Sequence, residues 1–172
     1  MLVDALVTKK TKDTTVVPDI MQLVTFKLGN EEYAVDILKV QEINRMKEIT
    51  RVPNTPAYVE GVINLRGKVI PVVNLRSKFS LTERENDIQS RIMIMDIQGI
   101  TMGLVVDAVS EVLRIPSNIV EPTPQMASNI STEYIKGIAK LEDRLIILLD
   151  MDMLVGKVDD TAMENVIKRI EH

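Results

Sequence analysis

An internal repeat is the feature of this chain that most constrains its fold. One group of apolar residues recurs with a glutamate at a constant spacing, and a second group recurs with a tyrosine and a glycine at a slightly longer constant spacing. The first group is Phe26, Leu28, Tyr33, Val35, Ile37, Val40, Glu42 and Ile43, which fall on Met95, Ile97, Met102, Leu104, Val106, Val109, Glu111 and Val112. The second group is Tyr58, Val59, Gly61, Val62, Leu65, Val69, Ile70, Val72, Val73 and Asn74, which fall on Tyr134, Ile135, Gly137, Ile138, Leu141, Leu145, Ile146, Leu148, Leu149 and Asp150. Aliphatic residues would match by chance in any two β-rich segments, but the tyrosine, glycine and glutamate in register indicate a duplication.

Strand patterns within the first copy predict two hairpins. Residues 21–28 and 33–43 alternate or run as apolar strands around Gly29 and Asn30, which tolerate positive φ. Residues 61–65 and 68–73 form the second hairpin around Arg66 and Gly67, and one helical turn follows over 75–79. The polar run 82–90 predicts a linker between the copies.

The repeat predicts a mainly β fold with two small barrels. Each copy holds enough strands to close a barrel, but a barrel of this size is marginal alone, so the two should pack together and leave a groove at their seam. We expect a flexible tail over residues 1–20, barrel 1 over about 21–83, barrel 2 over about 84–156 and an amphipathic helix over 157–172. The apolar stripe of that helix docks on its own barrel or on a partner.

Composition excludes most catalytic and metal chemistry. The chain has no Cys and one His, His172, so it lacks thiol nucleophiles, Cys or His metal clusters and a His-based triad. No cofactor and no metal site is therefore expected, and the protein is predicted not to be an enzyme. No apolar run is long enough for a membrane span, and residues 1–12 lack a signal-peptide core, so a cytoplasmic location without membrane insertion is expected.

One charged pair carries a functional hypothesis. Val40 and Glu42 share a strand face, and Arg66 lies at a hairpin tip from which its guanidinium could bind Glu42 bidentately. The second copy keeps Glu111 but has Glu142 at the position of Arg66, so the pair is predicted to distinguish the two copies. The pair either orients the hairpin or binds a partner directly.

Two other functions remain open on the residues alone. A small β-barrel that binds single-stranded nucleic acid is the main alternative, although a net charge of -4 and 3% aromatic residues disfavour nucleic acid as a partner. The other is a carboxylate dyad or hard-cation site, for which the candidates are Asp96, Asp107, Asp143, Asp150 and Asp152.

Four segments carry a resemblance to a known family. They are LGNEEYAVDILKVQEI (28–43), TPAYVEGVINLRGKVIPVVNLRSKF (55–79), GLVVDAVSEVL (103–113) and STEYIKGIAKLEDRLIILLD (131–150). In this order they resemble the CheW family of bacterial chemotaxis coupling proteins, from about residue 21 to residue 155, with NLRG as the most specific element. The resemblance implies two intertwined five-stranded barrels of SH3-like topology. It also implies an adaptor, monomeric outside the receptor array, that joins the cytoplasmic tips of methyl-accepting chemotaxis receptors to the regulatory domain of the histidine kinase CheA.

The resemblance also implies two binding surfaces. A receptor-binding groove between the barrels would contain Val40, Glu42, Gly61, Arg66, Gly103, Val109 and Val112. Kinase contacts at the outer ends of the barrels would involve Met46, Ile49, Val52, Glu121 and Met126. At the last two positions the family pattern has an arginine and an aromatic residue, so this chain departs from it there.

Overall fold

A computed structural model gives the structure of residues 19–82, 84–122 and 132–156. Within these residues the chain forms strands β1 (Ile20–Leu28), β2 (Glu31–Asp36), β3 (Val40–Arg45), β4 (Val59–Leu65), β5 (Lys68–Asn74), β6 (Arg91–Ile97), β7 (Ile100–Val106), β8 (Ala108–Pro116), β9 (Val120–Glu121), β10 (Ile135–Leu141) and β11 (Arg144–Leu149). Helices α1 (Leu75–Lys78) and α2 (Met151–Gly156) follow β5 and β11. Most of the predicted tail, the predicted C-terminal helix and Met126 lie outside the described residues.

The strands form two sheets with the same plan. The six-stranded sheet has the order β8-β1-β2-β11-β10-β9, and the five-stranded sheet has the order β3-β6-β7-β5-β4. At the shorter repeat spacing β1, β2 and β3 correspond to β6, β7 and β8, and at the longer spacing β4, β5 and α1 correspond to β10, β11 and α2, apart from small differences at their ends. The predicted duplication and the mainly β fold class are confirmed, and both predicted hairpins form.

The two copies exchange their first hairpins. Strands β1 and β2 of the first copy join the sheet that holds β8 to β11, while β6 and β7 of the second copy join the sheet that holds β3 to β5. A parallel pairing makes each junction, β2 with β11 and β5 with β7. The predicted boundary near residues 83 and 84 thus separates the sequence copies, whereas each sheet contains strands from both sides of it.

The exchange of hairpins begins at a break between β2 and β3, which the sequence pattern predicted as one continuous strand. The predicted strand 33–43 is interrupted by a 3-10 turn at Ile37–Lys39, so that part of the prediction is wrong. The Asp36 carboxylate accepts the Leu38 backbone N–H at 2.9 Å and caps the turn. The strand breaks there because the residues before and after the turn pair with different partners: β2 pairs with β1, and β3 pairs with β6.

Three apolar cores hold this arrangement together. Two are barrel interiors, one built around Ile63, Ile70 and Ile92 and the other around Leu23, Ile115 and Ile146. The third and largest core lies between the sheets and contains the bulkiest of the buried side chains, including Phe26 and Tyr33. Because β-barrels this small bury little surface alone, the shared core is what joins them into one domain.

Candidate functional site

The NLRG element forms a two-residue turn at the tip of the β4–β5 hairpin. Arg66 and Gly67 both have positive φ, 52° and 84°, as a turn that follows the strand twist requires. The Asn64 side chain accepts the Gly67 backbone N–H at 2.9 Å, and Leu65 is buried in the barrel interior. The element therefore places one arginine in a left-handed conformation that is unusual for a residue with a side chain.

Arg66 binds Glu42, as the sequence predicts. The Arg66 guanidinium donates to both carboxylate oxygens of Glu42, with Nη1 to Oε1 at 3.3 Å, and the Asn44 amide donates to Oε1 at 2.9 Å. The hydrogen bonds from Arg66 and then from Asn44 lower the pKa of the Glu42 carboxyl. With 70% of the Arg66 side chain exposed, the pair presents a guanidinium at the surface whose orientation is set by the protein.

Three of the predicted groove residues lie in one row across the five-stranded sheet. Glu42 pairs with Ile94, Ile94 with Gly103, Gly103 with Val72, and Val72 with Gly61. The two glycines are buried, so their role here is steric. A Cβ at Gly61 would lie 2.3 Å from the Thr50 carbonyl oxygen, and one at Gly103 would lie 2.8 Å from Cγ2 of Ile92.

The predicted valines lie where the shared core reaches the surface. Val40 and Val109 are half-buried, pack against the core between the sheets and occupy equivalent positions in the two copies. Val112 is 54% exposed on β8, where it pairs with the buried Val24. An apolar rim thus runs from the core onto the edge strands β3 and β8, but the two glycines do not belong to it.

The second copy has a glutamate–arginine pair that sequence comparison missed. Arg144 Nη2 donates to Glu111 Oε1 at 3.2 Å, and Arg144 Nε lies 3.6 Å from Glu32 Oε1. Arg144 aligns with Lys68 rather than with Arg66, so it reaches the equivalent glutamate from the other strand of its hairpin. The prediction that such a pair occurs in one copy alone is therefore wrong, although its position at the hairpin tip does distinguish Arg66.

A second ionic cluster, also missed, fixes the linker to the core. The Asp107 carboxylate accepts hydrogen bonds from Arg76, with Nε at 2.9 Å and Nη2 at 2.7 Å. It also accepts from Arg84 Nη1 at 3.1 Å and from the Gly29 backbone N–H at 2.8 Å. Burial alone would raise the pKa of the Asp107 carboxyl, but the hydrogen bonds from Arg76 and Gly29 and the charges of both arginines lower it overall. The sequence signal for this cluster was Asn74, a typical helix-capping residue just before Arg76. Its side chain accepts from the backbone N–H groups of Arg76 and Ser77 and so begins α1, the helix that carries Arg76.

Metal binding or base stacking by the described residues would need clustered carboxylates or exposed aromatic rings. Among residues 19–82, 84–122 and 132–156, no three His, Cys, Asp or Glu side chains come together as metal ligands would. The aromatic rings of Phe26, Tyr33 and Phe79 are buried. The Lys78 ammonium lies over the rings of Tyr58 and Tyr134, 5.1 and 5.5 Å from their centroids. The described part of the chain also lacks a helix long and apolar enough to cross a membrane.

The candidate kinase contacts lie at equivalent places in the two copies. Thr50 forms a bridge with Val62, and Glu121 of β9 pairs with Ile138, which is the residue equivalent to Val62. Met46 and Ile49 pack against the adjacent barrel interior, and Val52 lines a cleft of about 400 Å³. Glu121 is exposed.

Comparison with known proteins shows that this chain is similar to members of one family. The CheW-like domain matches residues 22–159. A CheW of Klebsiella aerogenes is 38% identical over 86% of this chain and 89% of its own length, and a probable CheW of Rhizobium etli is 32% identical over 82% of this chain and 91% of its own length. The crystal structure of the scaffolding protein TtCheW from Thermoanaerobacter tengcongensis superposes with a TM-score of 0.73 at 42% identity, covering 80% of this chain and 88% of that one.

Proposed function

The chain belongs to the CheW-like family of chemotaxis proteins, and on this premise we propose that it couples chemotaxis receptors to the histidine kinase CheA as a non-catalytic scaffold. The receptor side would be the cytoplasmic tip of methyl-accepting chemotaxis receptors, and the kinase side would be the regulatory domain of CheA. The protein would act in the cytoplasm, recruited to receptor arrays at the membrane.

The Glu42 and Arg66 pair is the observation that carries this proposal. A receptor tip is expected to be a helical hairpin, and a helix binds an apolar trough through residues spaced along one face, with polar contacts that set its register. The rim at Val40 and Val109 supplies apolar contacts. Arg66 supplies a polar contact beside it whose orientation Glu42 and the positive-φ turn restrict. Preorganisation of this kind reduces the entropy lost on binding.

Kinase binding would use the outer barrel ends. The segment from Met46 to Val52 and the exposed Glu121 occupy equivalent sites in the two copies, so one protein could contact two kinase domains in a ring through related but different surfaces. The residues differ between the sites, which supports two distinct contacts rather than one contact repeated.

Charge reversal at the hairpin tip tests the proposal. We expect Arg66→Glu to repel Glu42 and to reduce receptor-dependent activation of CheA by roughly tenfold or more, which corresponds to about 1.4 kcal/mol. The measurement is CheA autophosphorylation in a reconstituted mixture of receptor, kinase and this protein. Arg144→Glu is the matched control, because it reverses the arginine of the equivalent pair in the second copy.

Two results would contradict the proposal at different levels. If the wild-type protein fails to increase CheA activity in the presence of receptor, the coupling function itself is wrong. If it does so and a folded Arg66→Glu variant, checked by circular dichroism, activates as well as Arg144→Glu, then the coupling function stands but the receptor surface lies elsewhere.

A further inference from the structure

A basic cleft adjoins the apolar rim on the side of Val109. The cleft has a volume of about 380 Å³ and is lined by Lys27, Gln89, Arg91, Ala108, Val109 and Ser110. Its charged lining residues are both cations. Val109 ties the cleft to the rim, since the same side chain packs against the shared core.

The two cations are held close to the cleft without carboxylate partners among the described residues. Arg91 Nη1 donates to the carbonyl oxygens of Ile88 and Ser90, both at 2.8 Å, so neutral groups position its guanidinium. Lys27 is exposed near the end of β1, opposite Ala108 of β8. In the described part of the chain, no carboxylate oxygen lies within 4.0 Å of either side chain.

Charges of both signs lie near these two cations. Arg45 is the direct cross-strand neighbour of Arg91, and like charges facing each other in a sheet are unfavourable unless an anion joins them. Two adjacent carboxylates are already bound: Glu32, opposite Lys27 in β2, by Arg144, and Asp107, next to the cleft residue Ala108, by Arg76 and Arg84. Lys27 also lines a second cleft of about 810 Å³ with three further carboxylates, and none of these lies within 4.0 Å of its ammonium: Glu31, Glu142 and Asp143.

The equivalent position in the other copy has different charges. Asp96 occupies the place of Lys27, and Gln22 occupies the place of Arg91. Lys39, equivalent to Ala108, is bound to Asp152, with Nζ 3.2 Å from Oδ1. Within the described residues the rim is therefore flanked by two unpaired cations beside Val109 but not beside Val40, so its two sides differ in charge.

We propose that the cleft is a carboxylate subsite, in which Lys27 and Arg91 bind an aspartate or glutamate of the receptor helix that contacts Val109. This inference rests on the proposed function. A charge-assisted contact from two cations to one carboxylate is stronger than a neutral hydrogen bond and is oriented by the fixed guanidinium. The acidic residue should lie on the same helix face as the apolar residue that meets Val109, three or four positions away.

The test measures binding of a soluble receptor-tip fragment from the organism that encodes this chain. We expect Lys27→Glu to weaken fragment binding at least tenfold and Arg91→Gln to weaken it several-fold, by fluorescence anisotropy at low salt. Lys136→Glu is the control, since it makes the same change in net charge at an exposed position of β10, in the same sheet but away from the cleft. A fragment with one tip carboxylate changed to lysine should bind Lys27→Glu better than it binds the wild-type protein.

The outcomes separate this inference from the function on which it rests. If the wild-type protein does not bind the fragment, the proposed receptor contact is wrong and the subsite falls with it. If the wild-type protein binds and Lys27→Glu weakens binding no more than Lys136→Glu does, the receptor contact stands and the carboxylate subsite is wrong. Binding of the CheA regulatory domain should be the same for all variants, and a parallel loss there would also overturn the inference.

Discussion

The two copies of this chain share a backbone but not a pattern of charge. One row of paired residues crosses each sheet at the same height, and the residues of the rows correspond one to one. In the five-stranded sheet the row is Glu42, Ile94, Gly103, Val72 and Gly61, and in the six-stranded sheet it is Glu111, Thr25, Ala34, Leu148 and Gly137. The glutamate at one end and the glycine at the other are the same in both.

The ion pairs around these rows differ between the copies. Helix α1 contributes Arg76 to an ion pair with Asp107, whereas the equivalent position of α2 contributes Asp152 to an ion pair with Lys39, so the charges are reversed. The glycine that ends each row is closely packed, so an added atom there must displace its neighbours. The ion pairs differ in burial, since Asp107 is 12% exposed and Asp152 is 46% exposed. They make two similar folds chemically distinct.

The largest expected effect comes from adding one methyl group at the glycine of each row. Gly61→Ala should lower the free energy of unfolding by roughly 3 kcal/mol, a drop of about 6–12 °C in Tm, because Cβ would lie 2.3 Å from the Thr50 carbonyl oxygen. Two hydrogen bonds to Val62, of 2.8 and 2.9 Å, hold Thr50 in place. Thermal unfolding followed by circular dichroism measures the change.

Gly137→Ala is the matched variant and should cost less. The nearest atom to a Cβ there is Cγ1 of Val120, at 2.6 Å, and this side chain can move. The nearest backbone atom is the Glu121 carbonyl oxygen at 2.8 Å, which is farther away than the Thr50 oxygen is from a Cβ at Gly61. Equal losses in Tm for the two variants would show that the segments before β4 and β10 are held equally firmly.

A smaller effect is expected from the reversed ion pairs. Asp107→Asn should lower the free energy of unfolding by about 2 kcal/mol, because it removes charge from a carboxylate that accepts hydrogen bonds from Arg76 and Gly29 and is 12% exposed. Asp152→Asn should cost about 0–1 kcal/mol, because that carboxylate is 46% exposed and screened by water. Urea unfolding at pH 7 would compare the two, and a greater loss for Asp152→Asn would reverse the ranking.

The Asp107 contribution should also depend on pH. The pKa of this carboxyl is lower in the folded protein than its ordinary value of about 3.9, so the ionised form stabilises the fold. The difference in unfolding free energy between wild type and Asp107→Asn should be constant above about pH 5 and should shrink as the pH falls through the folded pKa. A difference that grows on acidification would contradict the assignment.

The smallest expected change in the free energy of unfolding comes from Lys78, a position at which the two copies have different residues. Its ammonium lies over the rings of both Tyr58 and Tyr134, whereas the equivalent residue Leu154 is buried in the shared core. Lys78→Met keeps the length of the side chain, removes the charge and should cost about 1 kcal/mol. Lys78→Arg keeps a cation and should cost less. A more stable methionine variant would show that the contact is apolar packing alone.

Local patterns in the sequence were sufficient for several parts of the structure. The β4–β5 hairpin, its turn at Arg66 and Gly67 and the first turn of α1 depend on residues close in the chain. The pairing of Glu42 with Arg66, which are 24 residues apart, was predicted from the complementary geometry of a carboxylate and a guanidinium. The strand break at Ile37–Lys39 was missed because its residues are as apolar as those of a strand. The Arg144 and Glu111 pair was missed because comparison by position assumes that equivalent charges come from equivalent residues.

Alternation of apolar residues and turn chemistry act over a few positions, so the order of residues is enough to specify two similar β units and their hairpins. The exchange of hairpins between the copies is visible only in the fold, because it depends on which distant strands pair once Asp36 has capped the break. The fold also decided that Asp107 is bound by two arginines and that Lys27 and Arg91 are left beside Val109. The interaction between two charged side chains depends on their distance in the fold, and the order of residues in the chain does not specify that distance.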